Sequence, residues 1–196
     1  ARAAADAGYK VTLIEKENRL GGWAADFSKV FPKNHPYQSL ENSGISKLIK
    51  EVESHSNIAV KKGTIISKTS GQPGKFTVTI NNGAADTELN VGAIVLATGW
   101  KPYDFSKLSR WGYGVTPDVI TNIDLEAMVS NGGIKRPSDG KGIDTIAFIQ
   151  CAGSREPDHL PYCSAVCCRV SLKQALYVRE KFPNAKIFII YRDLRT

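Results

Sequence analysis

The residues best equipped for chemistry are four cysteines, and all of them lie near one end of the chain. Cys151, Cys163, Cys167 and Cys168 fall within QCAGSREPDHLPYCSAVCC, spaced C-x11-C-x3-C-C, and no other cysteine occurs in the 196 residues. A helix starting near residue 164 would put Cys163 and Cys167 on one side with Cys168 next to them, and Cys151 would come from the end of the preceding strand. Four thiolates then converge at a helix N-terminus, whose partial positive charge lowers thiol pKa and favours an anionic thiolate-bound group. Four cysteine thiolates are the ligand set of a [4Fe–4S] cluster and also of structural zinc. Two adjacent ligands strain a single tetrahedral ion, whereas a cluster spreads its ligand sites over a larger volume. Thiol–disulfide chemistry is a further reading, although the C-x-x-C redox spacing is missing, and unligated buried thiols are another. His159, inside the same loop, is either an extra ligand or a loop side chain. The opening ARAAADAGYK has no basic segment leading into an apolar one, so a cytoplasmic location is expected, where clustered thiols serve metal or redox chemistry before disulfides.

A second candidate site lies near the start of the chain. Residues 9–15 read as a strand, with Val11, Leu13 and Ile14 apolar and Glu15 at its end. In a dinucleotide-binding fold, a carboxylate at that position accepts hydrogen bonds from the ribose hydroxyls. Lys16, Arg19, the pair Gly21-Gly22 and Trp23 follow; paired glycines let the backbone approach a flat ring or a pyrophosphate. Glu15 alone is a common way for a strand to end. The nucleotide reading gains from the Gly21-Gly22 turn and from a later turn, Ala97-Thr98-Gly99, that closes an apolar segment. Trp23, Trp100 and Tyr103 suit either the wall of such a site or core packing.

The elements that must position these groups alternate between strand and helix. Residues 1–7 read as the end of a helix closed by Gly8, feeding directly into the strand at 9–15. That is the second half of a βαβ unit, so the first strand and its glycine-rich turn are expected before Ala1, in a longer parent protein. An amphipathic helix is expected over 41–54, followed by strands at 58–60, 64–68, 75–81 and 87–91 separated by turn signals, the last pair as a hairpin. Residues 92–99, GAIVLATG, have the apolar run of a parallel strand covered on both faces. Residues 101–141 are loop-rich, with a helix at 124–129. The polar stretch RPSDGKG marks a domain boundary, dividing the chain into 1–140 and 141–196. Beyond it come a strand at 144–150, a helix at 164–181 and a strand at 186–191, another βαβ beginning.

The fold class is therefore α/β, with parallel sheets and a small antiparallel element. The composition, 42% hydrophobic and 23% charged with 17 glycines, is that of a globular chain rather than a disordered or collagen-like one. The net charge of +7 comes from basic residues scattered along the sequence. They form no stripe with interleaved aromatics, which argues for a solvated surface and against nucleic-acid binding. No run approaches the ~18 apolar residues of a membrane-spanning helix.

IEKENRLGG followed by IVLATGW resembles the FAD-binding half of the two-dinucleotide-binding-domain flavoproteins, the thioredoxin reductase-like class. The resemblance implies that Glu15 holds the adenosine ribose, that Gly21 and Gly22 lie near the flavin, and that Ala97, Thr98 and Gly99 pack against the cofactor. The turn after the strand at 144–150 would carry the glycine-rich NAD(P) motif in that class; here it is CAGSR, so the nicotinamide site looks replaced by the thiol site. QCAGSREPDHLPYCSAVCC, with SLKQALYVRE and YRDLRT after it, resembles the flavin-binding subunits of the heterodisulfide reductase family. Within it, GGWAADFSKVFPKNHPY, ISKTSGQPGKF and ATGWKPYD look most like the quinone-interacting membrane-bound oxidoreductases of sulfate reducers. No inserted ferredoxin segment with C-x-x-C-x-x-C lies between Gly22 and Gly99. The resemblance implies FAD and a [4Fe–4S] cluster held by the four cysteines. It also implies electron transfer inside a multisubunit redox complex, where one partner could be quinone-reactive and membrane-bound. The rivals are an NAD(P)H-dependent flavin disulfide oxidoreductase and a zinc-stabilised interaction module.

Overall fold

A computed structural model of the chain describes residues 1–195. In chain order its elements are α1 (Arg2–Asp6), β1 (Val11–Ile14), α2 (Gly22–Asp26), β2 (Lys29–Val30), β3 (Glu41–Asn42), α3 (Ile45–Ser54), β4 (Ile58–Lys61), β5 (Ile65–Gln72), β6 (Lys75–Asn81), β7 (Asp86–Val91), a 3₁₀ segment (Phe105–Trp111), α4 (Asn122–Ser130), β8 (Thr145–Ile149), α5 (Cys167–Lys181) and β9 (Lys186–Ile190). The chain packs as two compact units that interleave in sequence. One comprises Ala1–Ala25 and Ser43–Trp100; the other comprises Asp26–Asn42 and the chain from Lys101 onward. No helix among the described residues is long and apolar enough to cross a membrane.

In the first unit, α1 ends as its sequence suggests. The Gly8 N–H donates to the Ala5 carbonyl and the Tyr9 N–H to the Ala4 carbonyl, a Schellman closure that satisfies the last free carbonyls. The chain then enters β1, which pairs in parallel with β4, Val11 opposite Ile58 through Ile14 opposite Lys61. Ala5, Leu20, Val52 and Ile58 form the buried core, with Val11, Leu13, Ile49 and Val60 packed against it. The same unit contains an antiparallel three-stranded meander, β5-β6-β7. The β5–β6 hairpin closes tightly at Pro73-Gly74, since Gln72 faces Lys75, so β5 runs on to Gln72 rather than ending near 68.

Residues 92–99 do not form the expected strand. They carry no ladder, and Val95 and Leu96 are 88% and 81% exposed. A strand exists only where a neighbour accepts its backbone hydrogen bonds, and among the described residues β1 pairs with β4 alone. Helix α3 starts at Ile45, four residues later than expected, because Glu41 and Asn42 are drawn into β3, where they pair with Val30 and Lys29.

In the second unit, β8 and β9 pair in parallel, Thr145 opposite Lys186 through Ile149 opposite Ile190, with α5 as the crossover. The core is Leu40, Leu125, Ile134, Phe148, Tyr177, Val178 and Ala185. Helix α4 starts at a capping box in which the Thr121 side chain accepts from the Asp124 N–H and the Asp124 carboxylate accepts from the Thr121 N–H, satisfying two otherwise orphaned donors. Helix α5 starts at Cys167, not near residue 164. Ala165 adopts φ +60°, a left-handed conformation that interrupts any helix there. Cys163 is therefore on the loop rather than on the helix face with Cys167.

Candidate thiol centre and cofactor cradle

The thiols gather where strand β8 hands over to helix α5. Cys151 is buried just beyond β8, and Cys168 is buried in the first turn of α5 next to the half-buried Cys167. All four cysteines are free thiols. Burial pushes the Cys168 thiol above its ordinary pKa, opposed by a hydrogen bond from the Arg195 backbone; the side chains of Cys167 and Cys151 raise it further, Cys167 by hydrogen bond and charge and Cys151 by charge. Cys151, Cys167 and Cys168 thus interact. Cys163 is held separately, its Sγ accepting the Ala165 N–H at 3.3 Å. Among the described residues no three His, Cys, Asp or Glu side chains close into a metal cage.

The surroundings suit an anionic, sulfur-bound group. The Arg155 guanidinium reaches to 4.0 Å from Cys151 Sγ, and the charge of Cys163 acts on Arg195. Asp193 bridges these two arginines, at 2.5 Å from Arg155 and 2.9 Å from Arg195, and they hold its carboxyl below the usual carboxylate range, Arg195 foremost. The N-terminal turn of α5 adds N–H groups with no intrahelical partner. Gln150, one residue before Cys151, is 7% exposed, and neither its amide oxygen nor its amide nitrogen has a partner among the described residues. A buried orphan of this kind is satisfied by a bound group or water. Soft thiolates select iron–sulfur clusters and zinc over hard cations, so this donor set fits a thiolate-ligated metal group.

The loop from Cys151 to Cys163 is internally braced. The Arg155 N–H donates to the Tyr162 carbonyl, Glu156 to Leu160, and Leu160 back to Gly153. Tyr103 lies against Gly153 so closely that a Cβ there would meet its ring at 2.6 Å. The Tyr103 hydroxyl is 2.5 Å from His159 Nδ1, and His159 Nε2 faces Glu156 at 3.8 Å. Glu156 in turn pairs with Arg110. His159 is therefore engaged at both ring nitrogens by protein groups, which places it as a loop side chain rather than a fifth ligand. Tyr103 serves this loop.

Residues of the first candidate site all lie in the first unit. Glu15 follows β1, its N–H donating to the Lys61 carbonyl, so it sits at the carboxyl end of a parallel pair, where open α/β sheets bind ligands. One carboxylate oxygen accepts the Glu17 N–H at 2.9 Å. Lys16 is exposed and pairs with Glu17; Arg19 lies on the same bend. The two glycines differ. A Cβ on Gly21 would meet Ala25 at 2.8 Å and Ile49 at 2.9 Å, whereas one on Gly22 would meet nothing within 4 Å. Gly21 is required by packing on α3, and Gly22 leaves an open face. Gly99 is open in the same way, and Ala97 and Thr98 are exposed. The structure also joins the two turns: the rings of Trp23 and Trp100 stack at 5.4 Å, and Trp23 Nε1 donates to the Trp100 carbonyl at 3.1 Å. An open backbone face in the same unit as a strand-end carboxylate fits a nucleotide cofactor.

Arg155, Asp193, Arg195 and the Tyr103–His159–Glu156 set carry no motif that marks them as site residues. The sequence signal for Asp193 and Arg195 is the alternation of charge in YRDLRT, and Arg155 stands in the CAGSR turn.

No family model matches the chain. It is 30% identical to a CoB–CoM heterodisulfide reductase iron-sulfur subunit of Methanopyrus kandleri over 273 aligned positions, covering 97% of this chain and 41% of that protein. It is 27% identical to a subunit of the ferredoxin/F420H2-dependent CoB–CoM heterodisulfide reductase of Methanosarcina acetivorans, covering 97% and 34%. A shorter stretch, 56% of this chain, is 41% identical to a subunit of the H2/formate:CoB–CoM heterodisulfide,ferredoxin reductase of Methanococcus maripaludis and covers 18% of it. The chain spans less than half the length of these relatives. The first alignment is longer than the 196 residues of this chain, so that relative carries inserted residues that this chain lacks. Among solved structures, an L-proline dehydrogenase from P. horikoshii superposes with a TM-score of 0.44 at 16% identity, covering 92% of this chain and 30% of that one.

Proposed function

As a relative of the heterodisulfide reductase iron-sulfur subunits over 97% of its length, the chain is, we propose, part of an oxidoreductase component that passes electrons between FAD and a [4Fe–4S] cluster. The observation that carries this reading is the gathering of Cys151, Cys167 and Cys168 at the start of α5 beside Arg155, with Cys163 as the fourth thiolate. In this reading the FAD-binding part lies within residues 1–140 and the cluster-bearing part begins at 141, although residues 26–42 and 101–140 pack in the same compact unit as the latter. Other members of a multisubunit redox complex exchange electrons with it in the cytoplasm, one of them a quinone-reactive membrane protein.

When bound, the flavin supplies two-electron chemistry and the cluster one-electron chemistry. The protein's part is to hold and tune them. Glu15 accepts the ribose hydroxyls with the carboxylate oxygen that Glu17 leaves available. Gly22 and Ala97-Thr98-Gly99 present bare backbone to the cofactor, Trp23 braces that face through Trp100, and Lys16 and Arg19 supply positive charge for its phosphates. Gly21, assigned with this set, acts by fixing the turn. Cys151, Cys163, Cys167 and Cys168 ligate the cluster, and Arg155 with the α5 N-terminus offsets its negative charge.

Glu15→Ala in the full-length protein tests the flavin half. Loss of a charged hydrogen-bond acceptor costs ~1.5–3 kcal/mol per bond, so FAD should bind roughly ten- to a hundredfold more weakly, measured as flavin retained after dilution and filtration. Unchanged occupancy rejects the ribose role.

A further inference from the structure

The cysteine loop contains one imidazole, His159, a side chain type that can carry or release a proton, and the structure gives it partners on both sides. Nδ1 meets the Tyr103 hydroxyl at 2.5 Å and Nε2 faces the Glu156 carboxylate at 3.8 Å. The His159 and Glu156 side chains are only 16% and 15% exposed. On its outer side Glu156 borders a cavity of about 480 Å³, lined also by Arg110, Trp111, Pro157, Asp158 and Arg192, which opens a way for protons. On the inner side Tyr103 packs against Gly153, within the braced turn that follows Cys151.

We propose that His159 is a redox-linked proton site: it takes up one proton from solvent, past Glu156, when one electron enters the neighbouring thiolate centre, and releases it when that electron leaves. This rests on the function proposed above, with a flavin as the one-electron donor in the protein. Added negative charge beside the turn at Cys151, Gly153 and Ser154, which is buried, is costly unless a positive charge accompanies it. Arg155 cannot provide the change, because its charge is fixed and already paired with Asp193. His159 can. The neutral imidazole gains one N–H bond and becomes imidazolium, with Nδ1 facing the Tyr103 oxygen and Nε2 facing Glu156. One electron and one proton enter together, and the net charge of the loop is unchanged. Among the described residues, the other charged groups facing the pair are Arg110, which binds Glu156, and Asp158 and Arg192 across the cavity.

The test is a potentiometric titration of the full-length protein with dithionite, followed by EPR, at several pH values across the imidazole range. The wild type should show a midpoint potential that falls as pH rises. His159→Gln should keep its iron and show no pH dependence. Tyr103→Phe retains the ring on Gly153 and removes only the hydroxyl, so it should keep the slope but displace the pH at which it sets in. A pH-independent wild type, or a slope that survives His159→Gln, overturns the proposal with the cluster assignment intact. Loss of iron in both variants overturns it in favour of a purely structural clamp. A wild type without iron overturns the functional reading and the proton site together.

Discussion

Cys168→Ser in the full-length protein should lower bound iron from about four per chain at this motif to none. The side chain is buried in the first turn of α5 and interacts with both Cys167 and Cys151, so it stands at the junction of the other thiols. A serine there is nearly the same size, and packing is preserved. What is lost is the soft thiolate on which iron–sulfur ligation depends. Iron and acid-labile sulfide analysis of anaerobically purified protein reads the effect directly. The corresponding Cys163→Ser change asks whether the loop thiol completes the set: iron retained in full there, and lost in Cys168→Ser, would exclude Cys163 as the fourth ligand. Unchanged iron and an unchanged EPR signal in Cys168→Ser would remove the basis for the thiol centre.

The second large effect concerns stability. Lys173 on α5 and Glu126 on α4 form an ion pair at 2.8 Å with side-chain exposures of 5% and 2%. Lys173 also donates to the Lys29 carbonyl at 3.0 Å and lies 4.4 Å from the centre of the Phe27 ring. Glu126 accepts from Gln174 at 3.0 Å and from the Tyr177 hydroxyl at 3.5 Å, and Tyr177 accepts the Lys29 N–H at 2.9 Å. This network ties residues 26–42 to the helix that begins with Cys167. Removing one member strands a buried charge, so Glu126→Ala should destabilise the protein by ~3–5 kcal/mol. Replacing both, as Glu126→Leu with Lys173→Met, removes both charges and should recover most of the loss, because apolar substitutes for a buried pair are often nearly neutral. Urea midpoints for the single and double variants decide the matter; additive losses in the double variant would show that the two charges do not stabilise each other.

How much of this is legible in the sequence depends on how local each signal is. Strand β6 matches residues 75–81 because alternation and two flanking turns define it without outside help. β8 and β9 and the end of α5 are legible for the same reason. Residues 92–99 are not: an apolar run says that a segment can be a strand, but pairing requires a neighbour, and among the described residues β1 and β4 pair only with each other. The cysteine spacing suggests a helical i, i+4 pair, which the left-handed Ala165 undoes; nothing in the residue type of an alanine signals that conformation. Cys151 and Cys168 are both buried, one just beyond β8 and the other in the first turn of α5, positions that depend on the strand-to-helix handover and not on where Cys163 falls. Contacts across long separations are beyond reach. Tyr103 and His159 are 56 positions apart and Lys29 and Tyr177 are 148 apart. In both cases the sequence offers a polar side chain with no hint of its partner.

On the proposed function, the full-length protein carries both a flavin and an iron–sulfur cluster. Anaerobic purification of the full-length protein, with iron, sulfide, zinc and flavin measured on one sample, tests it most directly. Roughly four iron and four sulfide per chain for this motif, together with FAD, is the predicted result. Stoichiometric zinc with neither iron nor flavin would contradict it and make the cysteine motif a structural metal site.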